Sequence, residues 1–294
     1  MRAFIVTSRC ITKLVTVFVM LLFAHLGNAA VWVVTYPKPL YETDARDQYP
    51  IALLSLALDK TKVRYSVNPS AVPMRQDRAI RRLENNLDIN VYWTVTDQDR
   101  EQDLLPIRIP ITKGLIGWRM FLSHKDNAFL SQSISKIEDL RLFTPVQGSS
   151  WADTKVLQAN GFDVRGARDY GEAKAMVNEQ LADTFPRSVI EIESELNEIG
   201  NSDLRLRDGI AIRYPSAMYF FVNKSDVTLA KLLQTGLERA IADGSFDALF
   251  HEYFGETIER LDIDSLKVFD LSNPELPPKT PLQQPALWYM PTLQ

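Results

Sequence analysis

The residues best suited to hold a charged ligand lie in the segment 88–100. Apolar residues alternate from Ile89 to Val95, as in a short β-strand, and a polar loop with Arg100 follows. An arginine just beyond a buried strand end can bind a carboxylate through the planar, bidentate fork of its guanidinium group. Alternatively, Arg100 is a surface arginine without a binding role.

A second candidate site is the turn Gln147–Trp151, between a predicted strand and a predicted helix. Free N–H groups at a helix start, together with the hydroxyls of Ser149 and Ser150, would form a corner that attracts anions. Alternatively, one of these serines is an ordinary helix N-cap.

Aromatic side chains near the predicted strand ends could form an apolar and cation–π wall around a ligand, or could belong to the core. They are Tyr36, Tyr41, Trp93 and Trp151. We expect two of the four to line a cleft. Thr94, beside Trp93, is a further candidate ligand contact.

Residues for catalysis are sparse. Beyond the first thirty residues the chain has two histidines, His124 and His251, no cysteine and no Gly-x-Ser-x-Gly motif. No His/Cys metal site is evident either. Glu42 or Asp44 could serve as an acid in a lyase or dehydratase, but no paired base has a suitable spacing. The sequence therefore predicts no enzymatic activity, no metal and no cofactor.

The first thirty residues have the pattern of a secretory signal peptide. Basic residues precede an apolar run, Leu14–Leu26, that is too short to span a bilayer, and small residues follow it. The basic residues are Arg2, Arg9 and Lys13. We expect cleavage after Ala29 or Ala30 and a periplasmic protein; the alternative is an uncleaved membrane anchor.

Charge and cysteine content narrow the possible partners. Without the leader, the chain has 30 basic and 37 acidic residues, because the leader holds three of the 33 Lys and Arg and none of the acids. An acidic protein is a poor partner for nucleic acid or an anionic membrane. The single cysteine, Cys10, lies in the leader, so the fold is expected to have no disulfide.

Apolar periodicity predicts alternating strands and helices. Strands are expected at 31–36, 63–67 and 89–95, with helices at 49–60 and 74–85 between them. Two long apolar strands, 115–123 and 217–222, are predicted to cross between two such units. Predicted helices at 227–242 and 246–254 then close the first unit. A proline-rich tail follows and includes Trp288 and Tyr289.

This layout resembles the extracytoplasmic solute-binding proteins of the amino-acid-binding type (solute-binding family 3). In that family a strand, a loop of the Thr-x-x-x-Arg kind and an extended segment form one wall of the ligand cleft. Asp88, Thr96 and Arg100 match those positions. The run Asp243–Phe250 is also typical of the family's closing helices, and the resemblance covers about residues 31–255.

The resemblance implies roles for several residues. The serine turn would hold a ligand carboxylate together with Arg100. Asp183 falls where the family has an acid that meets the ligand ammonium group, unless it is a turn residue. Arg187 would contact an anion or pair with Asp183. The segment Leu40–Gln48 replaces the family's usual glycine-containing hairpin, so the ligand class is not simply inherited.

We therefore predict an α/β protein of the bilobal periplasmic-binding-protein type (type II), with two α/β lobes joined by two crossover strands. The expected limits are a signal peptide at 1–30, the first part of lobe 1 at 31–118, lobe 2 at 119–222, the closing helices of lobe 1 at 223–255 and an extended C-terminal strap at 256–294.

The function expected from this resemblance is that of a monomeric periplasmic receptor. It would capture an amino acid or similar carboxylate for an inner-membrane ABC permease. One alternative is a ligand-sensing protein that serves a signalling partner. Another is a periplasmic lyase or dehydratase on the same fold.

Overall fold

A computed structural model describes residues 31–40, 45–199 and 203–290. The predicted signal peptide, Tyr41, Glu42 and Asp44 lie outside the described residues. The strands are β1 Val31–Lys38, β2 Arg64–Pro73, β3 Tyr92–Val95, β4 Leu104–Ile107, β5 Trp118–His124, β6 Val146–Gly148, β7 Arg165–Ala167, β8 Thr184–Ser188, β9 Leu204–Arg213, β10 Met218–Asn223 and β11 Lys267–Asp270.

Nine α-helices are present in the described part of the chain. They are α1 Gln48–Thr61, α2 Gln76–Glu84, α3 Gln98–Asp103, α4 Ile137–Leu140, α5 Ala152–Ala159, α6 Tyr170–Asn178, α7 Ile192–Ile199, α8 Val227–Ala242 and α9 Ser245–Arg260. Strands and helices alternate as the apolar periodicity predicts, which places the chain in the α/β class.

The first lobe is built around β1–β4 and β10. Strands β1 and β2 pair in parallel, and β10 lies between β3 and β4 in antiparallel pairings. Asn90 joins the two groups, because its Oδ1 accepts a hydrogen bond from the Thr35 N–H and its Nδ2 donates to the Val33 carbonyl. Helices α1, α8 and α9 pack against one another on this lobe.

The second lobe contains the other six strands. Its main sheet has the order β11-β9-β5-β8, in which β5 pairs antiparallel with both β8 and β9. Strands β6 and β7 pair in parallel, and a bridge between Pro145 and Thr184 connects them to β8. The central strand, β5, is buried along its whole length, so any charged side chain on it must find a partner inside the protein.

Two chain segments cross between the lobes, one from β4 to β5 and the other from β9 to β10. They touch each other, because the Tyr214 N–H donates to the Gly117 carbonyl and the Ile111 N–H donates to the Met218 carbonyl. The bilobal fold class is therefore confirmed. The residue limits predicted for the individual lobes stay a prediction.

Several elements differ from the expected ones. The strand expected at 115–123 begins only at Trp118, after a 3-10 turn at Leu115–Gly117. The loop expected around Arg100 is helix α3, capped by the Asp97 carboxylate, which accepts from the Arg100 N–H. The sequence patterns also missed β9. Its first half contains three charged residues, Arg205, Arg207 and Asp208, so its apolar content is low.

The C-terminal segment runs along both crossovers. Helix α9 continues to Arg260, and β11 then adds a parallel strand to the edge of the second lobe at β9. Further on, the Tyr289 N–H donates to the Lys113 carbonyl, and the Trp288 indole N–H donates to the Pro281 carbonyl. Both aromatic rings are half-buried. In the described ranges, no helix is long and apolar enough to cross a bilayer.

The contact between α1 and α8 gives a test of the fold by two matched glycine substitutions. A Cβ on Gly236 would lie 1.9 Å from the Ala57 carbonyl oxygen, whereas a Cβ on Gly255 would meet only His251 Cβ, at 3.9 Å. We expect Gly236→Ala to lower the free energy of unfolding by about 1–3 kcal/mol through overpacking. Gly255→Ala should raise it by roughly 0.5–1 kcal/mol, because alanine favours the helix.

Denaturant titrations of both variants and the parent protein measure these changes. Equal effects of the two substitutions would contradict the close helix contact.

Candidate functional site

A cavity of about 530 Å³ lies between the two lobes. Its size is in the range of small-molecule sites, roughly 300–1,000 Å³. The first lobe contributes the ends of β1 and β3, the start of α1 and part of α9. The second lobe contributes β5, the start of α5, the start of α6 and the turn after β8. A ligand in this cavity would contact both lobes.

The floor of the cavity on the second lobe is a buried ion-pair network centred on Arg119. This side chain is 2% exposed. Its Nη2 donates to Asp153 Oδ1 at 2.7 Å, and its Nη1 lies 3.3 Å from Glu191 Oε2. The Tyr214 hydroxyl also donates to Asp153. Burial opposes the charge on Arg119, but Asp153 raises the pKa of the guanidinium group above its ordinary value.

Arg187 forms the second centre of this network. Its guanidinium group donates to both carboxylate oxygens of Glu195, at 2.6–2.9 Å, and lies 3.1 Å from Glu191. Burial raises the pKa of Glu195 above its ordinary value, although Arg187 acts to lower it. Burial also acts on Glu191, but Arg187 and Arg119 hold the pKa of that carboxyl group below its usual range.

Aromatic rings enclose the Arg187 guanidinium group. Its carbon lies 4.8 Å from the ring centre of Phe185, 5.3 Å from that of Trp151 and 5.5 Å from that of Tyr170. Trp151 can lie over β6 because position 148 is glycine: a Cβ there would meet the indole ring at 2.3 Å. The network is therefore fixed by charge and by ring packing.

The first lobe reaches the cavity through the turn before α1. Asp47 accepts a hydrogen bond from the Trp93 indole N–H at 2.9 Å, which fixes this turn to β3. Arg46 extends from the same turn to the second lobe. It lies 3.7 Å from Glu195 Oε1, and its guanidinium carbon is 4.5 Å from the Tyr170 ring centre.

Two residues that line the cavity each have a buried side-chain atom without a hydrogen-bond partner in the described part of the chain. The atoms are Thr112 Oγ1 and Arg119 Nε. Their residues are 3% and 2% exposed. A buried polar group left unpaired costs about 1–3 kcal/mol, so a ligand group bonded to these atoms would recover that free energy.

The structure brings five of the nine candidate residues to the cavity wall. These five are Trp93, Thr94, Ser150, Trp151 and Arg187. Tyr36 lies behind the wall, with its ring 5.4 Å from that of Trp93. The Ser149 N–H donates to the Ala167 carbonyl, away from the cavity. A ligand role for any of these residues stays a prediction.

Arg100 does not line the cavity but lies beside it, 6% exposed. Its guanidinium group pairs with Asp97 at 3.0 Å and donates to the carbonyls of Val95 and Ser150. It therefore contacts the backbone of the serine turn at Ser150, which belongs to the other lobe. Binding of a ligand carboxylate by Arg100 stays a prediction.

Asp183 lies immediately before β8, whereas Arg187 lies near the end of that strand. The Asp183 carboxylate accepts hydrogen bonds from the Asn127 side chain and from the Thr144 N–H, and it does not line the cavity. A ligand role for Asp183 stays a prediction. Arg187 pairs with Glu195 and Glu191; Asp183 is not its partner.

Sequence reasoning missed Arg119, Asp153, Glu191 and Glu195. Arg119 carried a usable signal, because it interrupts an otherwise apolar strand, and a charge in such a strand must be paired. The carboxylates lie on separate elements, so their meeting depends on the tertiary fold. Within the described ranges, no group of three or more His, Cys, Asp or Glu side chains is placed to hold a metal ion.

No protein-family model matches the sequence, and no curated protein matches it either. Solved structures do match the fold. The periplasmic VFT2 domain of Bordetella pertussis BvgS is similar with a TM-score of 0.61 and 17% identity, over 78% of this chain and 95% of that one.

Two arginine-binding proteins are also similar. An ancestral arginine-binding protein bound to arginine has a TM-score of 0.57 and 16% identity, over 76% of this chain and 98% of that one. A Salmonella typhimurium periplasmic binding protein with high arginine specificity has a TM-score of 0.57 and 14% identity, over 77% of this chain and 100% of that one. The chain therefore has the bilobal α/β fold of the amino-acid-binding periplasmic proteins, which confirms the resemblance to solute-binding family 3 at the level of the fold.

Proposed function

We propose that this protein captures a small polar ligand, an amino acid or similar carboxylate, between its two lobes. Hinge motion at the two crossovers would close the lobes over the ligand. The proposal is supported by the fold and by the charged cavity between the lobes. Two of the structural neighbours are named as binding proteins, which supports a binding role over an enzymatic one.

The observation that carries this proposal is the pair of unpartnered polar atoms on residues that line the cavity. Arg119 Nε is a donor and Thr112 Oγ1 can donate or accept, so both can bond to a carboxylate. Arg119 lies on the second lobe and Thr112 in the first crossover segment, and both residues line the same cavity. A charge-assisted hydrogen bond from the guanidinium group would be the stronger of the two.

A thermal-shift screen of the protein against amino acids, peptides, polyamines and organic acids tests this function. A ligand present at one hundred times its dissociation constant stabilises the folded state by about 2.7 kcal/mol. Calorimetry then gives the affinity of each compound that stabilises the protein. If no compound in these classes stabilises the protein, the proposal is wrong. Mass spectrometry of the bound ligand after incubation tests for turnover, which we do not expect.

The Thr112 hydroxyl can be removed at nearly constant side-chain volume. We expect Thr112→Val to weaken binding of a carboxylate ligand about 10- to 100-fold, because a hydrogen bond to a charged group contributes about 1.5–3 kcal/mol. The free energy of unfolding without ligand should not fall, because the hydroxyl has no protein partner in the described part.

Thr280→Val is the matched control for this prediction. Thr280 is also buried but does not line the cavity, so its substitution should leave the affinity unchanged. Calorimetric titration of the three proteins measures the difference. An unchanged affinity in Thr112→Val would count against the cavity wall as the ligand site.

Arg100 offers a test that separates a structural role from a ligand contact. Because Arg100→Ala leaves the Asp97 carboxylate buried without its partner, we expect the free energy of unfolding to fall by about 3–5 kcal/mol. Arg81→Ala removes an exposed pair with Asp77 and should cost less than about 1 kcal/mol. Denaturant titration compares the two variants. Unchanged stability of Arg100→Ala, with about 30-fold weaker ligand binding, would instead make Arg100 the carboxylate contact.

We further propose that the protein is periplasmic and monomeric and that it delivers its ligand to an inner-membrane ABC permease. The basic leader and the short apolar run support export. We expect intact-mass analysis of periplasmic material to show a chain that begins at Ala30 or Val31 and has no disulfide. A mass that includes residues 1–29 would contradict export with cleavage.

Uptake of the labelled ligand by cells with and without the protein separates delivery from sensing. Uptake that depends on the protein supports a role in import. Uptake that does not depend on it would favour a signalling partner.

A further inference from the structure

The second lobe has an excess of negative charge at its face of the cleft. Its ion-pair network contains two guanidinium groups, Arg119 and Arg187, and three carboxylates, Asp153, Glu191 and Glu195. The five groups are in direct contact along the network. Counted with all five groups ionised, the network contains one carboxylate more than it contains guanidinium groups.

The cation that balances this excess comes from the first lobe. Arg46 lies 3.7 Å from Glu195, over the Tyr170 ring at 4.5 Å from its centre. The Arg46 side chain is 26% exposed, so it lies at the boundary between the cavity and solvent. A carboxylate beside an aromatic face is a favourable environment for a planar guanidinium group.

Arg46 cannot stay at this position when the lobes separate. Asp47, the next residue, is hydrogen-bonded to Trp93 on the central part of the first lobe, and helix α1 begins at Gln48. Tyr170 and Glu195 both belong to helices of the second lobe. Opening of the cleft would therefore withdraw the Arg46 guanidinium group and leave its place on the second lobe to solvent or to a ligand.

We propose that the place of the Arg46 guanidinium group, between the Tyr170 ring and Glu195, is a cation subsite for the ligand, and that Arg46 competes with the ligand for it. The inference rests on the proposed function, because it assigns a ligand class to the same cleft. The favoured ligand carries a guanidinium group in addition to the group that Arg119 and Thr112 bind.

Competition by Arg46 would determine the selectivity between ligands with and without a guanidinium group. Because Arg46 is tethered to the same chain, its guanidinium group competes for the subsite at an effective concentration of the order of millimolar. A ligand with a guanidinium group must displace Arg46 from the subsite, whereas a ligand without one does not enter it. Removing Arg46 should therefore improve binding of the first kind of ligand relative to the second.

Calorimetric titrations with L-arginine and L-citrulline test this inference. The two compounds have nearly the same shape, but the citrulline side chain is uncharged. We expect Arg46→Ala to increase the ratio of L-arginine affinity to L-citrulline affinity at least 10-fold. Arg46→Lys should leave the ratio near that of the parent protein, because an ammonium group still fills the subsite. Arg165→Ala removes an equal charge from an exposed position outside the cavity and should not change the ratio.

The ratio is a suitable measure because a shift in lobe closure changes both affinities by the same factor. In a Glu195→Gln background, Arg46→Ala should no longer change the ratio, since the carboxylate that both cations share is gone. An unchanged ratio in Arg46→Ala, or failure of L-arginine to bind to either protein, would overturn the inference. The ligand screen decides the proposed function separately, because any compound that binds in the cleft supports it.

Discussion

The cleft depends on one constraint, the cost of burying charge. Arg119 lies on β5, which is buried along its whole length, and an isolated guanidinium group there would be strongly destabilising. Asp153 and Glu191 supply the compensation, from the start of α5 and from the turn after β8. The pairing therefore fixes two separate elements of the second lobe against its central strand and shapes the floor of the cavity.

The same requirement extends across the cleft. Arg187 is held by Glu195 and Glu191, and Glu195 in turn faces Arg46 of the first lobe. Lys155 of the second lobe adds a more exposed contact to Asp99 of the first. The exposed pair contributes little, because water and salt screen it. The buried contacts are screened much less. The charge balance of the cavity therefore contributes more than the exposed pair to the interaction between the two lobes.

Sequence reasoning predicted the α/β alternation, the two lobes and the long helices of the first lobe, because apolar periodicity reports burial directly. It also named Trp151 and Arg187 as candidates, and the structure brings both to the cavity wall. It could not identify Glu195 as the partner of Arg187, because that choice depends on how α7 packs. Asp183 shows the opposite case: its position in the sequence resembles the family pattern, but its carboxylate bonds to Asn127 and Thr144.

The crossovers determine how the two halves of the cavity can move. The Tyr214 N–H donates to the Gly117 carbonyl, so the two crossover segments, the proposed hinge, are directly joined. The C-terminal segment lies along this hinge, with Tyr289 bonded to the Lys113 backbone and the Asn273 side chain bonded to the Pro215 carbonyl. A rotation of the lobes that breaks these contacts costs the free energy that they contribute. The free energy of opening therefore has two contributions, the contacts of the C-terminal segment and the charges in the cleft. A ligand that binds between the lobes shifts the equilibrium set by both contributions.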